Sequence, residues 1–242
     1  MKTLGIIPAR YASSRFPGKA LANVAGKSML QRVYEQALQA KLIDAVVVAT
    51  DDERIFDHCN AFRGNVIMTS PDHQSGTDRC AEVARQISGY ELVVNIQGDE
   101  PFIDPGQIDL AIEPLKKEAQ ISTLVKKIES AEALFNPNVV KVVFDKNHRA
   151  MYFSRHPIPY VRGELQNEWL REPRHFKHIG LYGFRRDTLL EISALPLSAY
   201  EKCESLEQLR WLEHGYPITI NMTDKETIGI DTPEDLQKLM LH

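Results

Sequence analysis

The sequence predicts an α/β fold with a mostly parallel mixed sheet covered by helices on both faces. Three observations predict it. Short apolar runs alternate with stretches of helical periodicity through the first hundred residues. Each run ends in polar or special residues, which collects chemistry on one sheet edge. The chain has 242 residues and is 43% hydrophobic, enough to bury a full core, so disordered and fibrous classes are excluded.

Strand-like runs lie at residues 3–8, 45–50 and 92–96, and helical patterns at 28–40, 52–62 and 78–87. This β, α, β, α rhythm is that of parallel strands joined by crossover helices. Beyond Pro101 the pattern changes. Strands are expected at 122–128, 139–144, 150–154 and 177–185, with an aperiodic stretch rich in Pro and Arg at 155–174. A helix at 205–214, a strand at 218–222 and a strand-to-helix unit at 228–241 close the chain. The region around 120–190 reads as an inserted arm on a single domain spanning 1–242, because no linker or repeat divides it.

Basic residues number 29 and acidic residues 33, and the net charge of −4 gives no general attraction to nucleic acid or anionic membrane. The apolar run in residues 1–10 is too short for a signal-peptide core or a membrane span, so a cytoplasmic protein without membrane insertion is expected. Cys59, Cys80 and Cys203 are odd in number and far apart, which fits neither a disulfide framework nor a zinc cluster.

The segment 10–19, Arg-Tyr-Ala-Ser-Ser-Arg-Phe-Pro-Gly-Lys, follows the first strand and concentrates three cations (Arg10, Arg15, Lys19), two serines (Ser13, Ser14) and a glycine. A triphosphate needs such donors: guanidinium forks, an ammonium and backbone N–H groups. A solvated basic loop would have the same composition. It is not a Walker loop, because Leu21 stands where that pattern needs a glycine before Gly26-Lys27-Ser28, which reads as a turn capped by Lys27 or Ser28.

Gln97-Gly98-Asp99-Glu100-Pro101 follows the strand 92–96 and places Asp99 at its end, where a hard cation bridging phosphates wants a carboxylate. An Asp capping a turn would look the same. In 228–236 Thr232 reads as an N-cap, Pro233 as N1 and Asp235 as N3, which leaves Asp231 as a second possible metal carboxylate or an ordinary pre-cap residue. Residues 73–79 form a loop-to-helix junction, with Thr77 a possible cap, Ser75 near a base or ribose, and Arg79 at phosphate or on the nucleotide. Arg155, and His178 with Gly180 and Tyr182 on one strand face, suit a hydroxylated acidic ligand. Glu207 and Gln208 would ordinarily be surface positions of an amphipathic helix.

Taken together, IIPARYASSRFPGK at 6–19, VATD at 48–51, DHQSGTDR at 72–79, NIQGDEP at 95–101, FNPNVVKVV at 135–143, YFSR at 152–155, HIGLYGF at 178–184, LEQLR at 206–210 and DTPEDL at 231–236 resemble the 3-deoxy-manno-octulosonate (Kdo) cytidylyltransferases. The resemblance implies a three-layer αβα nucleotidyltransferase fold, a homodimer, CTP and Kdo as substrates, and Mg²⁺ on Asp99 and Asp231. It places Arg10, Ser13, Arg15 and Lys19 at the triphosphate, with Lys19, Arg10, Arg15, Asp99 and Asp231 catalytic. Ala49, Thr50, Asp51, Ser75 and Arg79 fall on the nucleoside side. Gln97, Arg155, His178, Tyr182, Glu207 and Gln208 fall around the sugar acid. His178 is a conceivable general base. Asp78 stands where the commoner motif has Glu, and residues 162–174 follow no recognised pattern. A cytidylyltransferase for 8-amino-Kdo or a sialic acid is the near alternative; the His73-Gln74 and Glu100 pattern favours the ordinary sugar. A glycosyltransferase would be expected to carry an Asp-x-Asp motif, and the sequence has none.

Overall fold

The computed structural model describes residues 1–12, 16–171, 174–226 and 229–240. In chain order, β1 (Thr3–Ala9) is followed by a tight hairpin of β2 (Asn23–Val24) and β3 (Lys27–Ser28), then α1 (Met29–Ala37), β4 (Ala45–Thr50), α2 (Glu53–Ala61) and β5 (Val66–Met68). Next come α3 (Gly76–Gln86), β6 (Leu92–Asn95), α4 (Pro105–Ile112), β7 (Ile121–Lys127), α5 (Ala131–Phe135), β8 (Lys141–Phe144) and β9 (Ala150–Ser154). The chain ends with β10 (Phe176–Arg185), α6 (Arg186–Ile192), α7 (Ala199–Glu204), α8 (Glu207–Glu213), β11 (Ile218–Met222) and α9 (Pro233–Met240).

The main sheet runs β11-β7-β10-β6-β1-β4-β5, with the β8–β9 hairpin joined to β10. Strand β10 is antiparallel to both β6 and β7, whereas β6, β1, β4 and β5 are mutually parallel and β11 is parallel to β7. Every other strand of that seven-strand path therefore points one way and β10 alone opposes them. One sheet edge thus gathers the C-terminal ends of β1, β4, β6, β7 and β11 and the beginning of β10.

Alternation along the strands builds two cores. Ile7 and Ala9 of β1, Val46 and Val48 of β4 and Val94 of β6 pack with α1, α2 and α4; Leu4, Ile6, Val47, Ala49 and Val93 pack on the other face with α3, α6 and α8. This is the three-layer arrangement. Helix starts follow capping chemistry: the Ser28 hydroxyl accepts from the Gln31 N–H at 3.0 Å, and Asp52 accepts from Arg54 N–H. Ser28, not Lys27, is therefore the cap of α1.

Several sequence expectations shift. Helices α4, α5, α6 and α7 lie outside the expected helical stretches; none is longer than eight residues, too short to show a clear 3.6-residue period. The helix expected from 205 begins at Glu207, because Ser205 has φ 51° and ends α7 in a left-handed turn. The expected strand near 228 is not seen at Gly229 and Ile230, and residue 228 lies outside the described residues. Within 120–190, β7 and β10 are central strands and the β8–β9 hairpin extends the sheet from β10, so residues 128–140 and 155–175 are what departs from it. There Trp169 is buried, packs with Ile128, Leu134 and Val161, and stacks on His175.

Ile7 is fully buried, whereas Met151 is 65% exposed. Ile7→Ala should lower unfolding free energy by about 2–5 kcal/mol and Met151→Ala by less than about 0.5 kcal/mol. Urea unfolding curves of the two variants check this; equal midpoints would contradict the two-core assignment.

Candidate active site

The loop after β1 returns through a turn in which Gly18, at φ 71°, donates its N–H to the Tyr11 carbonyl at 2.9 Å. That turn delivers Lys19 to the sheet edge. Its ammonium lies 2.7 Å from Asp99 Oδ2 and 3.3 Å from Asp231 Oδ1. Asp99 is reached through Gly98, where a Cβ would come 2.9 Å from the Pro8 carbonyl oxygen, so only glycine lets the β6 exit lie against β1. Asp231 arrives from the far end of the chain. Ile230 N–H donates to the Asp99 carbonyl at 2.9 Å, and the fully buried Ile230 side chain packs on Val24 and Met29. Thr232 and Asp235 then cap α9 reciprocally, at 2.9 and 3.2 Å.

Beside these groups opens a cleft of about 410 Å³ lined by Gln97, Asp99, Glu100, residues 138–140, residues 177–180, Gly229 and Asp231. Tyr182 pairs with Asn95 near the end of β6, so residues 178–180 of β10 extend past that strand end and overhang the Gln97 loop. Gln97 Nε2 donates to the Gly180 carbonyl at 2.9 Å and ties the two walls.

His178 is held by Phe153 and Tyr182, with ring centroids 5.1 and 5.2 Å away. Its Nε2 lies 3.0 Å from Thr123 Oγ1, and that hydroxyl also lies 3.1 and 2.9 Å from the carbonyls of Ile179 and Leu181. The hydroxyl has one proton to give among Nε2 and the two carbonyls; in the tautomer in which a carbonyl takes it, Nε2 carries the imidazole proton and Nδ1 is the ring's acceptor. Burial pushes the imidazole pKa down to about 3. His178 is thus a neutral hydrogen-bonding group and a poor general base, which corrects that expectation.

Glu100 is nearly buried, and burial together with the neighbouring Asp99 charge pushes its carboxyl up to about 7. Its Oε2 is buried with no hydrogen-bond partner among the described residues.

On the nucleoside side, Ala49 and Thr50 are buried and end β4. Asp51 lies 3.3 Å from Arg79, whose guanidinium is fully buried and also donates to Thr69 Oγ1. Arg79 therefore braces the β4 edge from inside and does not reach an open phosphate site, contrary to the sequence reading. Ser75, not Thr77, caps α3: its hydroxyl accepts from Asp78 N–H at 3.0 Å, Asp78 accepts from Ser75 N–H, and the hydroxyl donates to Glu207 at 3.0 Å. Thr77 also donates to Glu207, at 2.7 Å. Glu207 is a cross-tie holding α8 on the start of α3, and burial raises its pKa. Arg10 donates to the His73 carbonyl at 2.6 Å, joining the first loop to the 70–75 loop.

Four groups expected around the sugar stand away from the cleft lining: the cross-tie Glu207, and Arg155, Tyr182 and Gln208. The Arg155 guanidinium donates to the carbonyls of Glu204, Pro137 and Ser205 at 2.7, 3.1 and 3.3 Å. Tyr182 is packed against Phe184 and Trp211, and Gln208 is buried. Ser13 and Arg15 lie outside the described residues. Sequence reasoning gave no role to Asn138, Val139, Val140 and Lys177, although FNPNVVKVV was among the motifs; an uncharged turn and a lysine on a strand have no pattern that separates them from ordinary surface positions.

The nucleotidyltransferase fold is also what comparison returns. The cytidylyltransferase family model matches residues 4–226. The protein of Parabacteroides distasonis named 3-deoxy-manno-octulosonate cytidylyltransferase is 57% identical, covering 99% of this chain and 97% of its own; that of Geobacter sulfurreducens, of the same name, is 50% identical over 99% and 98%. The solved structure of CMP:2-keto-3-deoxy-manno-octonic acid synthetase complexed with CTP superposes with a TM-score of 0.92 at 43% identity, covering 100% of this chain and 98% of that one. The 4-diphosphocytidyl-2C-methyl-D-erythritol synthase of Anaerococcus prevotii, at 16% identity and TM-score 0.65, shares the fold. The chain belongs to the cytidylyltransferase family, among the 3-deoxy-manno-octulosonate cytidylyltransferases.

The pH dependence of stability follows from His178. An unfolded imidazole takes up its proton near pH 6.5, the folded one near 3, so between those values the unfolded state binds more protons and stability falls as pH is lowered. From pH 7 to 5 the loss from this group should be about 2 kcal/mol. Urea unfolding at both pH values should show a correspondingly smaller loss for His178→Gln; equal losses in the two proteins would contradict the neutral imidazole.

Proposed function

We propose that the protein transfers CMP from CTP to the anomeric hydroxyl of Kdo, giving CMP-Kdo and pyrophosphate for lipopolysaccharide inner-core synthesis. One observation carries the site assignment: Asp99 and Asp231, from opposite parts of the chain, converge on the Lys19 ammonium beside a cleft that also holds Gln97 and His178. Close relatives named for this reaction support the acceptor. Acceptance of 8-amino-Kdo or a sialic acid instead is not favoured, since His73, Gln74 and Glu100 are all present.

Mg²⁺ is the fitting metal. Two carboxylates already gather round a cation, and a third carboxyl, Glu100, is held high in pKa with an unpartnered oxygen beside them. A small hard cation that keeps waters and substrate phosphates needs no more than one or two protein carboxylates. Asp99 and Asp231 would hold it, and it would supply neutralisation of phosphate charge and acidification of the attacking hydroxyl.

The chain's own groups do the rest. The sugar hydroxyl attacks the α-phosphorus, a new O–P bond forms, and the bond to the β-phosphate oxygen breaks as pyrophosphate leaves. Lys19, with Arg10 and Arg15, offsets charge on the leaving group, while the 10–19 loop and the edge of β4 orient the nucleotide. Gln97 and neutral His178 orient acceptor hydroxyls, and in the tautomer with the proton on Nε2, Nδ1 of His178 accepts a hydrogen bond without taking the proton. Positioning and electrostatics suffice, and no side chain needs to act as general base.

A cytoplasmic homodimer completes the proposal. It is supported by large apolar side chains, Tyr160, Leu165, Met151 and Tyr200, that lie 53–73% exposed in the arm and the adjoining α7.

Pyrophosphate release from CTP and Mg²⁺ should require Kdo, and neither 8-amino-Kdo nor N-acetylneuraminate should replace it; release with only one of these other sugars would overturn the acceptor assignment. Asp99→Asn and Asp231→Asn should each lower kcat about 100-fold or more with unchanged melting temperature. Near-normal turnover of either at saturating Mg²⁺ would remove that residue from the metal site.

A further inference from the structure

Lys141, at the start of β8, is a fully buried lysine that the reaction scheme above does not use. Its ammonium donates to three backbone carbonyls: Asn136 at 2.7 Å, Val139 at 2.7 Å and Arg155 at 2.8 Å. Three N–H donors meet three acceptors, which is the condition under which an ammonium can be buried without a bonded carboxylate.

Two of those carbonyls belong to the turn at residues 136–140. The turn is closed on itself by Asn138 N–H to Asn136 Oδ1 at 2.9 Å and by Val139 N–H to the Asn136 carbonyl at 3.1 Å. The Pro137 carbonyl accepts from Arg155 at 3.1 Å, and the Val140 carbonyl accepts from His178 N–H at 2.8 Å. The carbonyls of 136, 137, 139 and 140 are therefore all held, three of them by two cationic side chains.

The same turn forms one wall of the cleft that contains Asp99, Asp231 and His178. Its Asn138 side chain lines that cleft, is exposed, and makes no hydrogen bond among the described residues. A carboxamide offers a donor pair and an acceptor on one planar group, which suits adjacent hydroxyls of a polyol. Precise presentation of such a group needs a rigid backbone beneath it.

We infer that Asn138 is an acceptor-binding, specificity-determining residue and that Lys141 is the positioning residue that holds its turn against the cleft. The inference rests on the reading that this cleft takes an acidic polyhydroxylated sugar. Lysine is required at 141 because three carbonyls converge on a point charge; the planar fork of arginine does not match them.

Steady-state pyrophosphate release, with Kdo and CTP varied separately, tests it on the full-length chain. Asn138→Ala, an exposed change, should raise KM for Kdo about tenfold while leaving KM for CTP and the melting temperature unchanged. Lys141→Met should raise KM for Kdo at least as much, again without affecting KM for CTP, and Lys141→Arg should not restore it. An unchanged KM for Kdo in Asn138→Ala overturns the inference even if Lys141→Met fails to fold. A Lys141→Met protein whose two KM values rise together, or whose kcat alone falls, reduces Lys141 to a stability role and overturns its part. Should the wild type use another acid sugar in place of Kdo, the acceptor assignment falls, and the same variants assayed with that sugar decide the role of the turn.

Discussion

The Lys19 ammonium is the point at which the site is assembled. It joins Asp99, 80 positions away, and Asp231, 212 positions away, so three segments that share no local structure meet at one charge. Two carboxylates converging at a sheet edge would repel one another; a cation between them removes that penalty, whether it is the lysine or a metal. The rest of the architecture serves to bring these three segments within reach. Gly98 allows the β6 exit to lie on β1, and Ile230, bonded to the Asp99 carbonyl and buried on Val24 and Met29, secures the last segment.

Strand direction explains why the chemistry is gathered on one edge. Parallel β1, β4 and β6 send their following loops to the same side, giving the cationic loop, Asp51 and the Asp99 loop. The reversed β10 brings its beginning, not its end, to that side, which is how His178 comes to lie beside residues that follow β6. Cross-ties then make the loops interdependent. Arg10 grips the 70–75 loop, Glu207 holds α8 on the start of α3, and Gln97 bonds β10.

Much of this was legible in the sequence. The β, α alternation gave the three-layer fold, since the short continuous apolar runs of strands buried on both faces are distinct from the 3.6-residue period of helices. Asp99 and Asp231 could be picked out because each stands at a strand end or before a cap, and Gly98 and Gly18 marked the turns that deliver the site. What failed did so for a physical reason. Arg79 and Arg155 are cations beside a site, and sequence cannot distinguish a guanidinium that reaches a ligand from one turned inward to carbonyls or a carboxylate. Tyr182 sits on the expected strand face, but that face is covered by α8, so its ring joins the core beside Trp211. His178 was a conceivable base from its residue type alone, and only its enclosure shows that it stays neutral. The left-handed Ser205 gave no signal because it depends on tertiary contacts; the Asn-Pro-Asn at 136–138 marks a turn, but nothing local places that turn at the cleft.

Asp99 and Asp231 are proposed as one cation site, taken by the Lys19 ammonium in this structure and by a metal when nucleotide is bound. A crystal structure with CTP and Mg²⁺ tests it most directly. The account predicts a metal ion about 2.0–2.1 Å from an oxygen of each carboxylate, with the Lys19 ammonium moved onto phosphate oxygens. A metal held by phosphates alone, with Lys19 still bridging Asp99 and Asp231, would contradict it.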